Sequence, residues 1–452
     1  MWEDPPMSIA LTHCYGYSGV SSLQDGQLQL VVSGGRADDQ PHFFTGRLRR
    51  PQRTAQQLLA LMRVVQARHH IPAAMMERIL LEADPVVTCG AERLRFEGFS
   101  ACCGVYARVD LLPGAVEGAL AGKGSTNVDF NEPMRTALAR VGTDDDVTLS
   151  VGREEVVLQA GSDEVVERKV KLPLRWIRGF LEVQAVCRRM TPKFTLSAPQ
   201  ARRFLAELPR MKTHRRATYV VPQGQGVRLS QVAPEGPHVR VGGLERLRPL
   251  ERLVARAQQL EIHADELTGA SAWVVHFGDS RFTLALSPEV WRGFSGEGQA
   301  LHDLATDWSS VVASVRARLH WGSAIDSETV ASEAGLEPSL VSAALAALGA
   351  RGLVGFDLTE GRWFHRELPF DLDAVETLQP RLRNARKLIE AKSVRQEPGA
   401  EPPVFWVKGS GVEHRVVLAD AGRCTCTWFA KHGGERGPCK HVLAARLFLE
   451  EG

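Results

Sequence analysis

The chain has 452 residues, 44% hydrophobic and 24% charged, which is material for more than one core and, by length alone, for roughly three domains. No apolar run approaches the 18 or so residues of a membrane-spanning helix, and Met1-Trp2-Glu3-Asp4-Pro5-Pro6 is acidic and proline-broken where a secretory signal needs positive charge and then an apolar stretch. The formal net charge of +2 averages basic stretches against acidic ones, and the eight cysteines, three of them clustered with a histidine, fit a reducing compartment, so the expectation is a cytoplasmic protein without a membrane span.

In chain order, residues 1–190 read as an α+β domain. Leu28 to Val32 is strand-like, Ala55 to Ala67 helical, and a second helix runs from Ala73 to Ala83 after Pro72. Leu94 to Leu112 returns to a strand pattern, and Val147 to Leu158 reads as a hairpin turning at Gly152 to Glu154. That hairpin leads into a proline, Trp176 and Arg178-Gly179-Phe180. In residues 191–302, a second α+β domain, a hairpin from Trp273 to Leu286 turning at Gly278-Asp279 leads into Pro288, Trp291 and Arg292-Gly293-Phe294. The recurrence suggests two hairpin-helix modules, although convergent packing of an aromatic at a helix start would give the same pattern.

Residues 303–370 are helical and then strand-like. Ser327 caps a short helix through Ala334, Gly335 ends it, Pro338 opens a longer helix that Gly352 ends, and Leu353 to Asp357 and Arg362 to His365 flank a turn at Glu360-Gly361. From Trp308 to Phe370 this order resembles a winged helix-turn-helix domain. A recognition helix usually offers arginine, lysine, asparagine or glutamine to the major groove, whereas Pro338 to Ala350 offers only Ser339 and Ser342, so the helix reads as architectural or protein-binding. Residues 371–403 hold a basic helix from Pro380 to Gln396 and a proline-rich linker from Glu397 to Pro403.

Residues 404–452 carry the strongest chemical signal. Strands from Val404 to Val407 and from His414 to Ala419 lead into Cys424-Thr425-Cys426; twelve residues later come Cys439-Lys440-His441 and an apolar helix through Val442, Leu443, Ala445, Phe448 and Leu449. Three thiolates and an imidazole suit one tetrahedral zinc ion, and four protein ligands leave no position open for a substrate water, so the zinc reads as structural. A module of about 50 residues is too small to depend on its core alone, which makes the metal a folding element. His432, between the two pairs, is a rival ligand.

The arrangement from Phe405 to Glu450 closely resembles the SWIM-type zinc finger. The resemblance implies a strand-strand-helix zinc module used to bind DNA or protein partners. A SWIM finger after a long α+β region also looks like the bacterial SWIM proteins linked to MoxR-type AAA ATPases and von Willebrand A-domain proteins, which implies an AAA ATPase as a possible protein partner. The expected fold is thus α+β and multidomain, with hairpin-helix modules, a winged-helix-like domain and the C-terminal zinc module.

Other constellations fail on spacing. Gly118 to Ser125 looks like a phosphate loop, but its first gap is one residue short and glycine follows Lys123 where a hydroxyl should. Gly293 to Glu297 misses the nucleophile elbow because its fifth residue is glutamate. Cys14, Cys89, Cys102, Cys103 and Cys187 lack metal spacing and read as buried free thiols. These failures speak against an enzyme and leave no small-molecule substrate evident.

Charge points to nucleic acid. Arg188, Arg189, Lys193, Arg202, Arg203, Arg210, Lys212, Arg215 and Arg216 stand against the single acid Glu207, a local net charge of +8. Arg47 to Arg68 and Arg381 to Arg395 are further basic stretches. On one face they would bind phosphate backbones without reading sequence; the competing expectation is that acids elsewhere pair with them. The function expected is therefore a zinc-binding, non-enzymatic nucleic-acid or protein binding factor, with an adaptor for an AAA ATPase as the alternative.

Overall fold

An eight-stranded antiparallel sheet organises the chain, in the order Thr191–Ser197, Gln259–Ala264, Ser271–His276, Ser280–Leu286, Val105–Leu111, Leu94–Phe99, Val86–Cys89, Gly124–Asn127. The computed structural model describes residues 22–24, 27–30, 42–69, 85–119, 122–127, 132–152, 174–210, 217–305, 309–368, 379–409, 411–419 and 422–451. Strands Val105–Leu111 and Ser280–Leu286 pair over their full length, from Val105 opposite Leu286 to Leu111 opposite Ser280. The boundary expected at residue 190 therefore cuts through one sheet, because strands from both sides of it share hydrogen bonds.

The three central strands are buried on both faces. One face is apolar, with Phe96, Val109, Phe282 and Leu284, and lies under the helix Pro51–Gln66, whose Gln57 reaches Ser280 across 2.9 Å. The other face carries Arg95, Glu97, Arg108, Asp110 and Arg281 although all five are buried. Two features cover it. The helix Leu174–Cys187 contributes Phe180 to an aromatic cluster with Phe99 and Tyr106. The hairpin Val354–Asp357 and Arg362–His365 inserts Asp357 among the arginines.

Asp357 accepts from Arg281 at 2.7 Å and Arg95 at 3.1 Å and lies 3.4 Å from Arg108, while Asp110 takes the other side of the same guanidiniums, 3.0 Å from Arg95 and from Arg108. Arg95 also lies 4.0 Å over the Phe364 ring, and Arg108 donates to the Phe356 carbonyl. Burial alone would raise the Asp357 carboxyl, but Arg108, Arg281 and Arg95 outweigh it and hold it well below the usual carboxylate range.

Helices Ser327–Ala334 and Pro338–Ala350 precede that hairpin at the expected positions. The cap of the first is Asp326, whose carboxylate accepts from the amides of Glu328 and Thr329, and not Ser327 as expected; a carboxylate at the N-terminus also meets the helix dipole favourably. From Ala344 to Ala350 the longer helix is buried, and Gln184 donates to its Gly349 carbonyl at 3.0 Å, so its C-terminal half is an internal packing surface.

The two tryptophan–glycine–phenylalanine segments differ in structure. Trp176 lies in a helix and is fully buried, whereas Trp291 is 56% exposed and precedes a single 3-10 turn at Phe294–Gly296. No second hairpin-helix unit forms there. The shared feature is the aromatic anchor, since Phe180 and Phe294 both pack on Phe99. Strand Thr148–Gly152 has both edges taken, by Gln27–Leu30 and His42–Leu48; the return strand expected to 158 and the helix expected from Ala73 to Ala83 lie outside the described residues. Gly118 and Gly124 stand on the separate strands Val116–Ala119 and Gly124–Asn127, the latter hydrogen-bonded to Val86–Cys89.

Replacing Asp357 with alanine leaves Arg95 and Arg108 with Asp110 and leaves Arg281 with Asp110 and the half-buried Glu360, 3.3 Å away. It should cost about 3–5 kcal/mol, read as a lowered denaturant midpoint; a loss below about 1 kcal/mol would mean that the cluster contributes no more than a surface pair.

Candidate metal centre

The basic helix ends at Glu390, short of the expected Gln396, because Lys392 takes a positive φ of 50° and reverses the chain. Val394–Gln396 then becomes the edge strand of a four-stranded sheet with Val404–Lys408, Glu413–Val417 and Arg423–Cys424. The presumed linker from Glu397 to Pro403 is the turn between the first two strands, so the module begins about ten residues before its expected start.

The sheet delivers Cys424 at the end of its last, two-residue strand, which pairs it with Val416. Cys426 caps a short helix, Thr427–His432, that the sequence pattern did not suggest; its sulfur accepts from the Phe429 amide at 3.4 Å. Cys439 precedes the helix Lys440–Glu451 and accepts from the Val442 amide at 3.5 Å, and His441 follows in that helix. Cys424 in turn accepts from the Cys426 amide at 3.4 Å. Backbone amides thus face all three sulfurs, as anionic thiolates require.

The one ligand atom of each of Cys424, Cys426, Cys439 and His441 lies within 4.8 Å of the other three, and all four residues are buried. His441 Nδ1 is 3.8 Å from the Cys424 sulfur and 4.0 Å from that of Cys439. A tetrahedron with metal–sulfur bonds of about 2.3 Å has edges of about 3.8 Å, so the two His441–sulfur edges are close to those of a zinc site. These four residues would hold the ion and complete its coordination. A hydrogen bond from Cys424 and further ones from His441 and the Val442 amide favour the Cys439 thiolate and lower its pKa, while Cys424 and Cys426 are raised, Cys424 chiefly as the donor to Cys439 and Cys426 by burial.

His432 is outside this group. Its ring packs on Trp428 at 4.5 Å, so of the two candidate histidines only His441 faces the sulfurs. Of the other cysteines, Cys89, Cys103 and Cys187 are buried and their thiols are pushed up to about 12 by desolvation, which keeps them protonated; Cys14 lies outside the described residues.

The module is seated on the body of the protein. Arg381 donates to the carbonyls of Arg436 at 2.7 Å and Pro438 at 3.0 Å and to that of Glu297 at 2.7 Å. Gln299 donates to the carbonyls of Gly434 and Glu435, and Arg436 to that of Gly296. A Cβ at Gly437, whose φ is 76°, would lie 2.0 Å from the Gly298 carbonyl oxygen, so only glycine permits this approach. Beneath the contact, Glu182 accepts from the amides of Gln299 and Ala300; burial pushes its carboxyl up to about 8.

The basic segment looks different in three dimensions. Arg188 pairs with Asp303, Arg189 with Asp265, Lys193 with Glu266, Arg203 with Glu207 and Arg210 with Glu251. Arg202 is exposed, and Lys212, Arg215 and Arg216 lie outside the described residues. Four of these five acids come from elsewhere in the chain, which a count along the sequence could not anticipate.

Residues 414–447 match the family model of the SWIM zinc finger. The chain matches none of the curated proteins. Among solved structures it is similar to the Proliferating Cellular Nuclear Antigen from Entamoeba histolytica, at 9% identity over 55% of this chain and 99% of that one; the TM-score of 0.34 is too low to define a fold. No helix among the described residues is long and apolar enough to cross a membrane.

Exchange of His441 for alanine should bring zinc content well below one per chain, whereas His432→Ala should leave it unchanged, as measured by metal analysis of the purified proteins. Zinc should also leave as pH falls, because protons compete for the three thiolates; metal retained fully at about pH 4 would contradict thiolate ligation. At Glu182 the folded pKa lies above the unfolded one, so ionisation costs stability progressively between about pH 4.5 and about 8 and in full above that. Glu182→Gln should therefore match the parent in thermal stability at about pH 4 and exceed it at about pH 9.

Proposed function

We propose that this is a non-enzymatic nucleic-acid binding factor in which one structural zinc ion folds the C-terminal finger and the finger presents a basic surface. The observation that carries the reading is the closed donor set. With Cys424, Cys426, Cys439 and His441 all buried around one point, a bound ion has no vacant position for a substrate, and its contribution is to folding. The charge distribution supports the rest. Residues 380–451 hold 13 lysines and arginines against 8 acids, a net +5 that exceeds the +2 of the whole chain. Lys408, Arg415, Arg423 and Lys431 of the finger are exposed. Binding through such a surface is mainly electrostatic and reads little sequence.

A second reading, an adaptor that docks to a protein machine such as an AAA ATPase, draws on one observation: the basic segment from Arg188 to Arg210 is largely paired with carboxylates and has little charge left to offer phosphates. The two readings separate in one titration. Affinity for a mixed-sequence DNA or RNA should fall on the order of tenfold to a hundredfold between about 50 and about 200 mM salt, and the Cys424→Ser, Cys426→Ser double variant should weaken it strongly. Absence of binding at low salt would remove the nucleic-acid reading and leave the adaptor.

A further inference from the structure

Between the finger and the body lies a cleft of about 560 Å³, whose finger side includes Cys426, Cys439 and His441 of the metal site. Its walls come from four segments: Arg178 from the helix Leu174–Cys187, Ser295 to Glu297 from the loop that meets the finger, Arg381 and Asn384 from the helix Pro380–Glu390, and Trp428 and Lys440 from the finger. The cavity has the size of a nucleotide-type ligand.

Arg178 is the unusual member. It is more than half buried, its Nε has no partner, and among the described residues it makes no hydrogen bond or ion pair. Every other arginine of the cleft region is committed: Arg381 and Arg436 to carbonyls, Arg292 to Glu297. Lys440 likewise has no partner among the described residues, and Asn384 is exposed with its amide free to donate. A partly desolvated guanidinium without a counter-charge is unfavourable by itself and favourable once an anion supplies one. Among the described residues the only carboxylate in the lining is Glu297, already paired with Arg292, and a zinc ion with three thiolates and a histidine carries one net negative charge, so Arg178, Arg381 and Lys440 still leave the cleft with a positive excess.

The backbone adds to this. The helix Pro380–Glu390 opens onto the cleft with no side chain capping its first turn and no acid in it, so its free amides and dipole favour a negative group there. The lining is apolar at Val412, which is 59% exposed, and at the Trp428 indole. A site whose lining combines donors and positive charge with apolar surface fits a phosphate attached to an organic group better than it fits a bare inorganic ion.

We propose that this cleft binds the phosphate of a nucleotide-type ligand, with Arg178 as its principal contact and Lys440 and the Pro380 helix terminus completing the cradle. The phosphate would belong either to a free mononucleotide or to the end of a single-stranded nucleic acid. The latter deepens the nucleic-acid reading above and rests on it; the former does not.

The test is calorimetric titration of the full-length, zinc-loaded protein with inorganic pyrophosphate, AMP, and a short single-stranded oligonucleotide with and without a 5′-phosphate. Pyrophosphate and at least one organic phosphate should bind, and Arg178→Gln should weaken both by about tenfold or more with zinc content unchanged. Tighter binding of AMP than of the oligonucleotide assigns a free nucleotide, and a requirement for the 5′-phosphate assigns a strand end. Should Arg178→Gln lose zinc, Lys440→Gln serves as the second variant, with the same direction expected. Binding that neither substitution weakens, or no binding by any phosphate probe, would overturn the proposal. Salt-dependent nucleic-acid binding unaffected by Arg178→Gln would overturn the cleft and leave the wider reading intact.

Discussion

The buried carboxylate of Asp357 is the contact on which the arrangement of this protein depends. Three guanidiniums, from Arg95, Arg108 and Arg281, stand side by side on adjacent strands of the central sheet, on a face from which water is excluded. Asp110 cannot balance them alone. The face becomes tolerable only when the hairpin from Val354 to His365 brings Asp357 down onto it and Phe364 covers Arg95. Apolar residues of similar volume could provide equal or greater stability in such a place. What charge adds is position, since a carboxylate that must meet three donors admits fewer placements than a greasy contact does.

That position propagates to the metal module. The helix Leu174–Cys187 packs against the same sheet face through Phe180, and its Glu182 holds the amides of Gln299 and Ala300. Those residues form the loop that Arg381, Arg436 and Gln299 tie to the finger. The finger is therefore a fixed wall of the molecule, and Arg178 on the same helix faces it across the cleft. On the proposed reading a zinc ion would secure the local fold of the module, while the contacts beyond it set which surface that fold presents.

How much of this was legible in the sequence differs by region. The clustering of Cys424, Cys426, Cys439 and His441 was, because metal spacing is local and three cysteines with a histidine at those intervals leave few alternatives. The helix pair and hairpin from Ser327 to His365 were also readable, since Gly335, Pro338 and Gly361 punctuate it, although the cap fell one residue early, on Asp326. The central sheet was not. Its buried face reads Arg95, Glu97, Arg108, Asp110, a pattern that alternation assigns to solvent, and its strands are joined across about 170 residues. The neutralisation of the basic segment was invisible for the same reason, because Asp265, Glu266 and Asp303 approach Arg189, Lys193 and Arg188 only once the chain has folded.

The central claim is that one metal ion is enclosed entirely by this chain's own residues in a finger built into the body of the protein. X-ray absorption at the zinc edge of the purified protein tests it most directly. The account predicts three sulfurs at about 2.3 Å and one nitrogen at about 2.0–2.1 Å, with no oxygen. A shell containing a water oxygen, or fewer than three sulfurs, would contradict a closed structural site and return the metal to the candidates for chemistry.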